Sequence, residues 1–173
     1  MQETILITKA EIQQYKQLSN SINQSKLEQI IKEAQFNDLR PLLGERLYND
    51  VMTKVEASST DYDDLMNGSV YEFGGITYTN YGLKSVLANY VYARYAMFGD
   101  VIDNPFGMTT KLNVSESKPL DLSTKKTFYA ANQKTAYNYW LNVEAFIIRT
   151  NLKLYNSCSN HSENKTFRLS RIG

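Results

Sequence analysis

Asp61, Asp63, Asp64 and Glu72 are the first residues whose types and spacing could do chemistry. Carboxylates at the first, third and twelfth positions of a loop are the skeleton of a calcium site. Such a loop also requires an oxygen ligand at its fifth position and a glycine at its sixth, where this chain has Leu65 and Met66. The match therefore fails. One histidine, His161, cannot anchor a His-based cluster, and one cysteine, Cys158, cannot form an internal disulfide. The lone thiol points to a reducing compartment. Both residues lie in the polar stretch NSCSNHSENK, from which His161 would have to fold back to activate a nucleophile. No Gly-rich loop leads into Lys-Ser/Thr, so a phosphate cradle of that kind is missing. The residues point to no enzyme, no cofactor and no metal.

A second constellation lies in SVLANYVYARYAMFGDVIDNPFG, where Tyr90, Tyr92 and Tyr95 frame Arg94. An isolated charge on an apolar helix face is costly to bury. Glu144 occupies a comparable place on a later helix, so Arg94 and Glu144 are expected to pair. Contacts from Arg94 to backbone carbonyls of the following loop, or an Arg94 that reaches solvent, are the alternatives.

The elements that must position these residues are mostly helical. Thr8-Lys-Ala-Glu11 has the form of a capping box and opens a short helix. Leu27, Ile30, Ile31 and Ala34 keep one apolar face on a second helix, which is expected to break at Arg40-Pro41. After Gly44 a third helix places Leu47, Tyr48, Val51, Met52 and Val55 on one side. The aromatic and β-branched run VYEFGGITY reads as a hairpin from about 70 to 78, turning at Gly74-Gly75. Tyr81 to Phe98 forms a central helix with Leu83, Leu87, Tyr90, Arg94 and Met97 in one stripe, widened by Val86 and Val91. Its opposite side is apolar too, so it is covered nearly all round.

Residues 100–122 have no helical period and read as a long extended loop, which suits a functional role. Ser123 is expected to cap a helix to about Tyr155, with Tyr137, Trp140, Leu141, Ile147, Ile148 and Leu152 as its stripe. The segment 156–173 is a C-terminal tail whose last residues, KTFRLSRI, alternate enough to add as an edge strand. The whole is expected to be one mainly α domain, residues 1–173: a small helical bundle with a short hairpin.

Composition agrees with a folded, non-membrane class: 42% hydrophobic and 21% charged residues, with no apolar run long enough to span a bilayer. MQETILITKAEIQQYK lacks the basic-then-apolar order of a secretory signal. The net charge of +1 hides a polarity. Residues 1–80 carry 7 Lys/Arg against 12 Asp/Glu, and residues 81–173 carry 12 against 6. Opposed halves can set the register of copies packed head to tail. The 13 tyrosines suit interfaces or an aromatic core equally.

FNDLRPLLGERLYNDV, followed by GLKSVLANYVYARYAMFGDVIDNPFGMTTKLNVSESKPL, resembles the head–tail connector (adaptor or ring) proteins of tailed bacteriophages. The likeness is greatest to those of crAss-like and other Bacteroidetes-infecting phages, and runs from about residue 8 to 155. It implies a structural virion protein at the head–tail junction, without catalytic activity. The subunits would form a ring, typically of twelve copies, beneath the portal protein. That ring would extend a channel through which DNA passes without sequence-specific binding, and would dock the next ring or tail protein. A tail-side completion or terminator protein, and a helical interaction module unrelated to phages, are the competing classes. On the ring reading, Tyr92, Tyr95, Asn104, Pro105, Phe106 and Gly107 are the candidates for the subunit interface.

Overall fold

The computed structural model describes residues 4–20, 22–99, 101–104, 107–110 and 121–155, and places them in a mainly helical bundle with a short antiparallel hairpin. At its centre lies helix α6, Gly82–Phe98. All of its residues from Gly82 to Val91 are buried except Lys84. Helix α7, Leu122–Arg149, runs along one side, and α1 (Lys9–Tyr15), α2 (Gln24–Ala34) and α5 (Asp63–Asn67) close the others. Leu83, Val86, Leu87, Tyr90 and Val91 sit in the core, as their spacing requires. Met97 is half-buried, because the bundle thins toward that end.

Helix α1 starts where the capping box sets it. The Thr8 hydroxyl accepts from Glu11 N at 3.3 Å, and Glu11 Oε2 accepts from Thr8 N at 2.7 Å. The same carboxylate pairs with Lys84 of α6, so a local cap also anchors α1 to the core helix. Burial pushes the Glu11 carboxyl up, but the hydrogen bonds from Lys84 and Thr8 outweigh it and hold it below the ordinary value of 4.5. A carboxyl with a depressed folded pKa adds stability above its unfolded pKa and loses it as pH falls through the folded one. Glu11→Gln is therefore expected to cost about 1 kcal/mol at pH 7, solvent screening having taken most of the Coulomb attraction. The difference from wild type should shrink as pH falls below 4.5, read by urea denaturation at pH 7 and through the acidic range.

The expected break at Arg40-Pro41 does not occur. Helix α2 passes through a π-helical turn, Gln35–Leu39, into the short helix α3, Arg40–Leu43. In that wider turn Arg40 N bonds Gln35 O, five residues back. The helix reaches Pro41 in a new register, with the proline at the start of the resumed α-helix, where its missing donor costs little. The chain turns instead at Gly44 (φ 75°) and enters α4, Glu45–Glu56. Gln35 is fully buried and ties down the leading segment, accepting from Leu6 N at 2.8 Å and donating to Thr4 O at 3.0 Å.

Strands β1, Ser69–Phe73, and β2, Ile76–Asn80, form the expected hairpin, slightly longer than its sequence signal. Gly74 and Gly75, at φ 60° and 77°, make its two-residue turn. The hairpin leads directly into α6 through a tight crossing. Asn80 Nδ2 donates to Asp64 O at 2.7 Å, and Gly82 N donates to Asn80 Oδ1 at 3.0 Å.

Part of the expected loop 100–122 is a second ribbon. Strand β3, Val101–Asn104, pairs antiparallel with β4, Gly107–Thr110, in a register that sets Asn104 against Gly107. Asn-Pro favours a turn and the flanking Val, Ile and Thr favour strands, so absence of helical period here meant pairing and not irregularity. Helix α7 begins one residue before the expected cap: Asp121 accepts from Thr124 N at 2.9 Å and from its hydroxyl at 2.6 Å. It ends at Arg149, short of Tyr155.

Candidate assembly surface

Helix α7 has 28 residues and is about 42 Å long, at 1.5 Å per residue. Its inward line is Ala136, Trp140, Val143 and Ile147, all buried against the core. A second side receives the β1–β2 hairpin. Asn142 accepts from Tyr81 N at 3.0 Å and donates to Thr79 O at 2.9 Å. Phe146 meets Tyr71 edge-on at 5.0 Å, and Arg149 lies over the Tyr78 ring at 4.0 Å while donating to the Tyr71 hydroxyl at 3.0 Å. On a third side, the Tyr155 hydroxyl donates to Glu144.

The fourth side is covered by none of the described residues. Tyr137, Leu141 and Ile148 follow one another at helical spacing and are 49%, 46% and 54% exposed. Ala130, Lys134, Asn138 and Ala145 complete the same strip, in which Lys134 is the single charge. Water is a poor partner for such a face. A helix apolar on two sides needs cover on both, and the described residues supply one.

The sequence pattern assigned Tyr137, Leu141 and Ile148 to the core stripe together with Trp140 and Ile147. The structure splits that stripe in two, one line inward and one outward, about a third of a turn apart. The outer line was visible in the sequence as a second three-to-four spacing merged with the first.

The expected interface tyrosines are engaged within the subunit. Tyr92 and Tyr95 are half-buried against the core cluster. Tyr92 meets Phe128 edge-on at 5.6 Å, and Lys16 lies over its ring at 5.5 Å. Gly99 packs on Tyr95 so closely that a methyl group there would come within 2.8 Å of the ring. Asn104 and Gly107 stand at the end of the β3–β4 ribbon, and Pro105 and Phe106 lie outside the described residues.

The expected Arg94–Glu144 pair does not form. Arg94 instead grips Asp38 of the π-helical turn, Nε to Oδ2 at 2.6 Å and Nη2 to Oδ1 at 3.2 Å, with Glu33 more distant at 3.7 Å. Glu144 is taken by Tyr155. The reason is position: Arg94 lies on the flank of α6 that meets α2 and the π-helical turn. Its side chain is 14% exposed, so it does not reach out to solvent.

Two further features stand apart from this face. A shallow notch of about 380 Å³ is lined by Phe36, Asn37, Arg40, Pro41, Gly44 and Glu45. Arg40 covers the Phe36 ring at 4.9 Å and bonds Glu45 at 2.8 Å, so its guanidinium is already engaged within the chain. Of the acidic residues, Asp61 is bonded to Lys54, while Asp63 and Asp64 open α5, where calcium geometry would need a loop. Among the described residues no three His, Cys, Asp or Glu side chains gather to hold a metal, and no helix is long and apolar enough to cross a membrane.

Residues 39–166 match DUF6712, a family of unknown function, and the chain belongs to that family. The matched span begins in the π-helical turn and takes in both hairpins, α6 and α7. No curated protein and no solved structure matches the chain.

Proposed function

We propose that this DUF6712 member is a structural virion protein that assembles with copies of itself into a ring at the head–tail junction of a tailed phage. The ring joins the portal to the next ring or tail protein and lengthens the DNA channel, with no catalytic step and no cofactor. The observation that carries the reading is the outer face of α7, a second apolar side on a helix whose inner side already fills the core. The resemblance to connector proteins across Phe36–Val51 and Gly82–Leu120 supports it, as does the acidic–basic polarity of the chain. A ring joint is heterologous, one face of each copy meeting a different face of the next. Opposed charges then favour one register, most strongly at low salt.

The test is electron microscopy of the protein alone and with its portal, for wild type and for Leu141→Glu/Ile148→Glu. Wild type should form rings in one of the two settings, and the variant should form none. Its melting temperature should stay within about 3 °C of wild type, because both side chains are exposed in the subunit. Absence of wild-type rings in both settings at high concentration overturns the reading. Rings that bind tails but not the portal move the protein to the tail side.

A further inference from the structure

Two separate parts of the described chain leave large apolar side chains in water, and they differ in form and in charge. One is the outer strip of α7. The other is the tip of the β1–β2 hairpin, where Val70, Phe73 and Ile76 are 68%, 49% and 57% exposed. Register explains the second. Tyr71 lies opposite Tyr78 and Phe73 opposite Ile76, so all four side chains share one face of the ribbon. Phe146 and Arg149 of α7 cover the Tyr71–Tyr78 pair, and the helix then ends, leaving the Phe73–Ile76 pair beyond it. A methyl group added at Gly74 or Gly75 would meet nothing within 4 Å, so the turn stands clear of the described residues around it.

The tip does not meet the strip within one copy. Asn142 bonds Tyr81 N and Thr79 O, and Arg149 donates to the Tyr71 hydroxyl, so the ribbon is fixed to a different side of the helix. A second copy can bring the two together, and their charges are complementary. The hairpin carries Glu72 and follows the Asp63–Asp64 pair of α5, all three exposed. The strip carries Lys134, with exposed Lys126 about two turns nearer the start of α7.

We infer that the hairpin tip of one copy docks on the outer strip of α7 in the next, with Phe73 and Ile76 against Tyr137 and Leu141, and Glu72 beside Lys134. The inference rests on the self-assembly proposed above and supplies its other half: α7 gives one face of the joint and the hairpin the opposing one. Because the faces differ, each copy presents one tip and receives another, the heterologous arrangement that a ring requires. Apolar side chains supply affinity at the centre of the joint, and the acid–base pair at its rim sets the register.

Two variants that each keep one half of the joint test it. The hairpin donor carries Leu141→Glu/Ile148→Glu, with Cys158→Ser removing the native thiol and Thr77→Cys taking a nitroxide label beside the tip. The isotope-labelled acceptor carries Phe73→Ser/Ile76→Ser. Such a pair forms one joint and stops at a dimer, and paramagnetic broadening in NMR detects it even at a Kd of about 1 mM. The Lys134, Tyr137 and Leu141 amides of the acceptor should lose most of their signal, while those of α4 keep theirs. Glu72→Lys in the donor should weaken the complex about tenfold, and Lys134→Glu in the acceptor should restore it. The docking is overturned by no broadening, by broadening centred elsewhere, or by a Glu72→Lys loss that Lys134→Glu leaves in place. No broadening alongside wild-type rings rejects this joint and leaves the ring standing, whereas broadening without wild-type rings keeps the joint and rejects the ring.

Discussion

Gly82→Ala is expected to lower the melting temperature by roughly 12 °C, because a local strain and a backbone collision fall on the same atom. Gly82 has φ 77°, where a side chain is strained in any surroundings. A methyl group there would also lie 2.5 Å from Gly68 N and 2.7 Å from Asn67 C and Met66 O. These are main-chain atoms that cannot swing aside. Gly68 meets the return of the same contact, since its own methyl would lie 2.6 Å from Asn80 O. The end of α5 and the start of α6 thus touch backbone to backbone, and the two glycines are what allow it. Strain and overpacking each cost about 1–3 kcal/mol, which together gives about 4 kcal/mol. Gly75→Ala is the control: it has the same φ of 77° but nothing within 4 Å of the added methyl. Its cost should be about 1 kcal/mol. Equal losses in the two variants, by thermal or urea denaturation, would show that the crossing relaxes and that only the backbone angle matters.

What the sequence revealed and what it hid divide along a physical line. Features decided within a few residues were legible: the Thr8–Glu11 box, the Gly74-Gly75 turn and the apolar circumference of α6. Two local signals misled. Pro41 marked a break because proline rarely sits inside a helix, but a π-helical turn just before it shifts the hydrogen-bonding register. The aperiodic stretch after Phe98 looked like loop, while strands of four residues with a two-residue connection need no longer pattern than this. Choices between distant partners were not legible at all. Periodicity shows that α7 has apolar faces but not which one the rest of the chain covers. Tyr92 and Tyr95 are half-buried against the core while Tyr137, Leu141 and Ile148 are exposed, a division that periodicity alone does not decide.

Arg94 shows the same limit in an ion pair, and gives the second large effect. Its partner is 56 residues away in sequence, and no local pattern distinguishes Asp38 from Glu144. The pair is bidentate and largely dry, with side chains 14% and 12% exposed. Removing one member leaves the other charge stranded, which costs about 3–5 kcal/mol in a buried site. Asp38→Ala is therefore expected to destabilise by about 3 kcal/mol, the low end, because Glu33 remains near the guanidinium. Glu33→Gln, on a side chain 58% exposed, should cost under about 0.5 kcal/mol. Replacing both partners, Arg94→Met with Asp38→Leu, removes the stranded charge and should bring stability back to within about 1 kcal/mol of wild type. A double-mutant cycle by urea denaturation reads the coupling, and 0.5 M salt should change it little, because a dry pair is poorly screened. Additive losses in the double variant would mean that the two groups are solvated independently, and that packing around the π-helical turn, not the ion pair, joins α2 to α6.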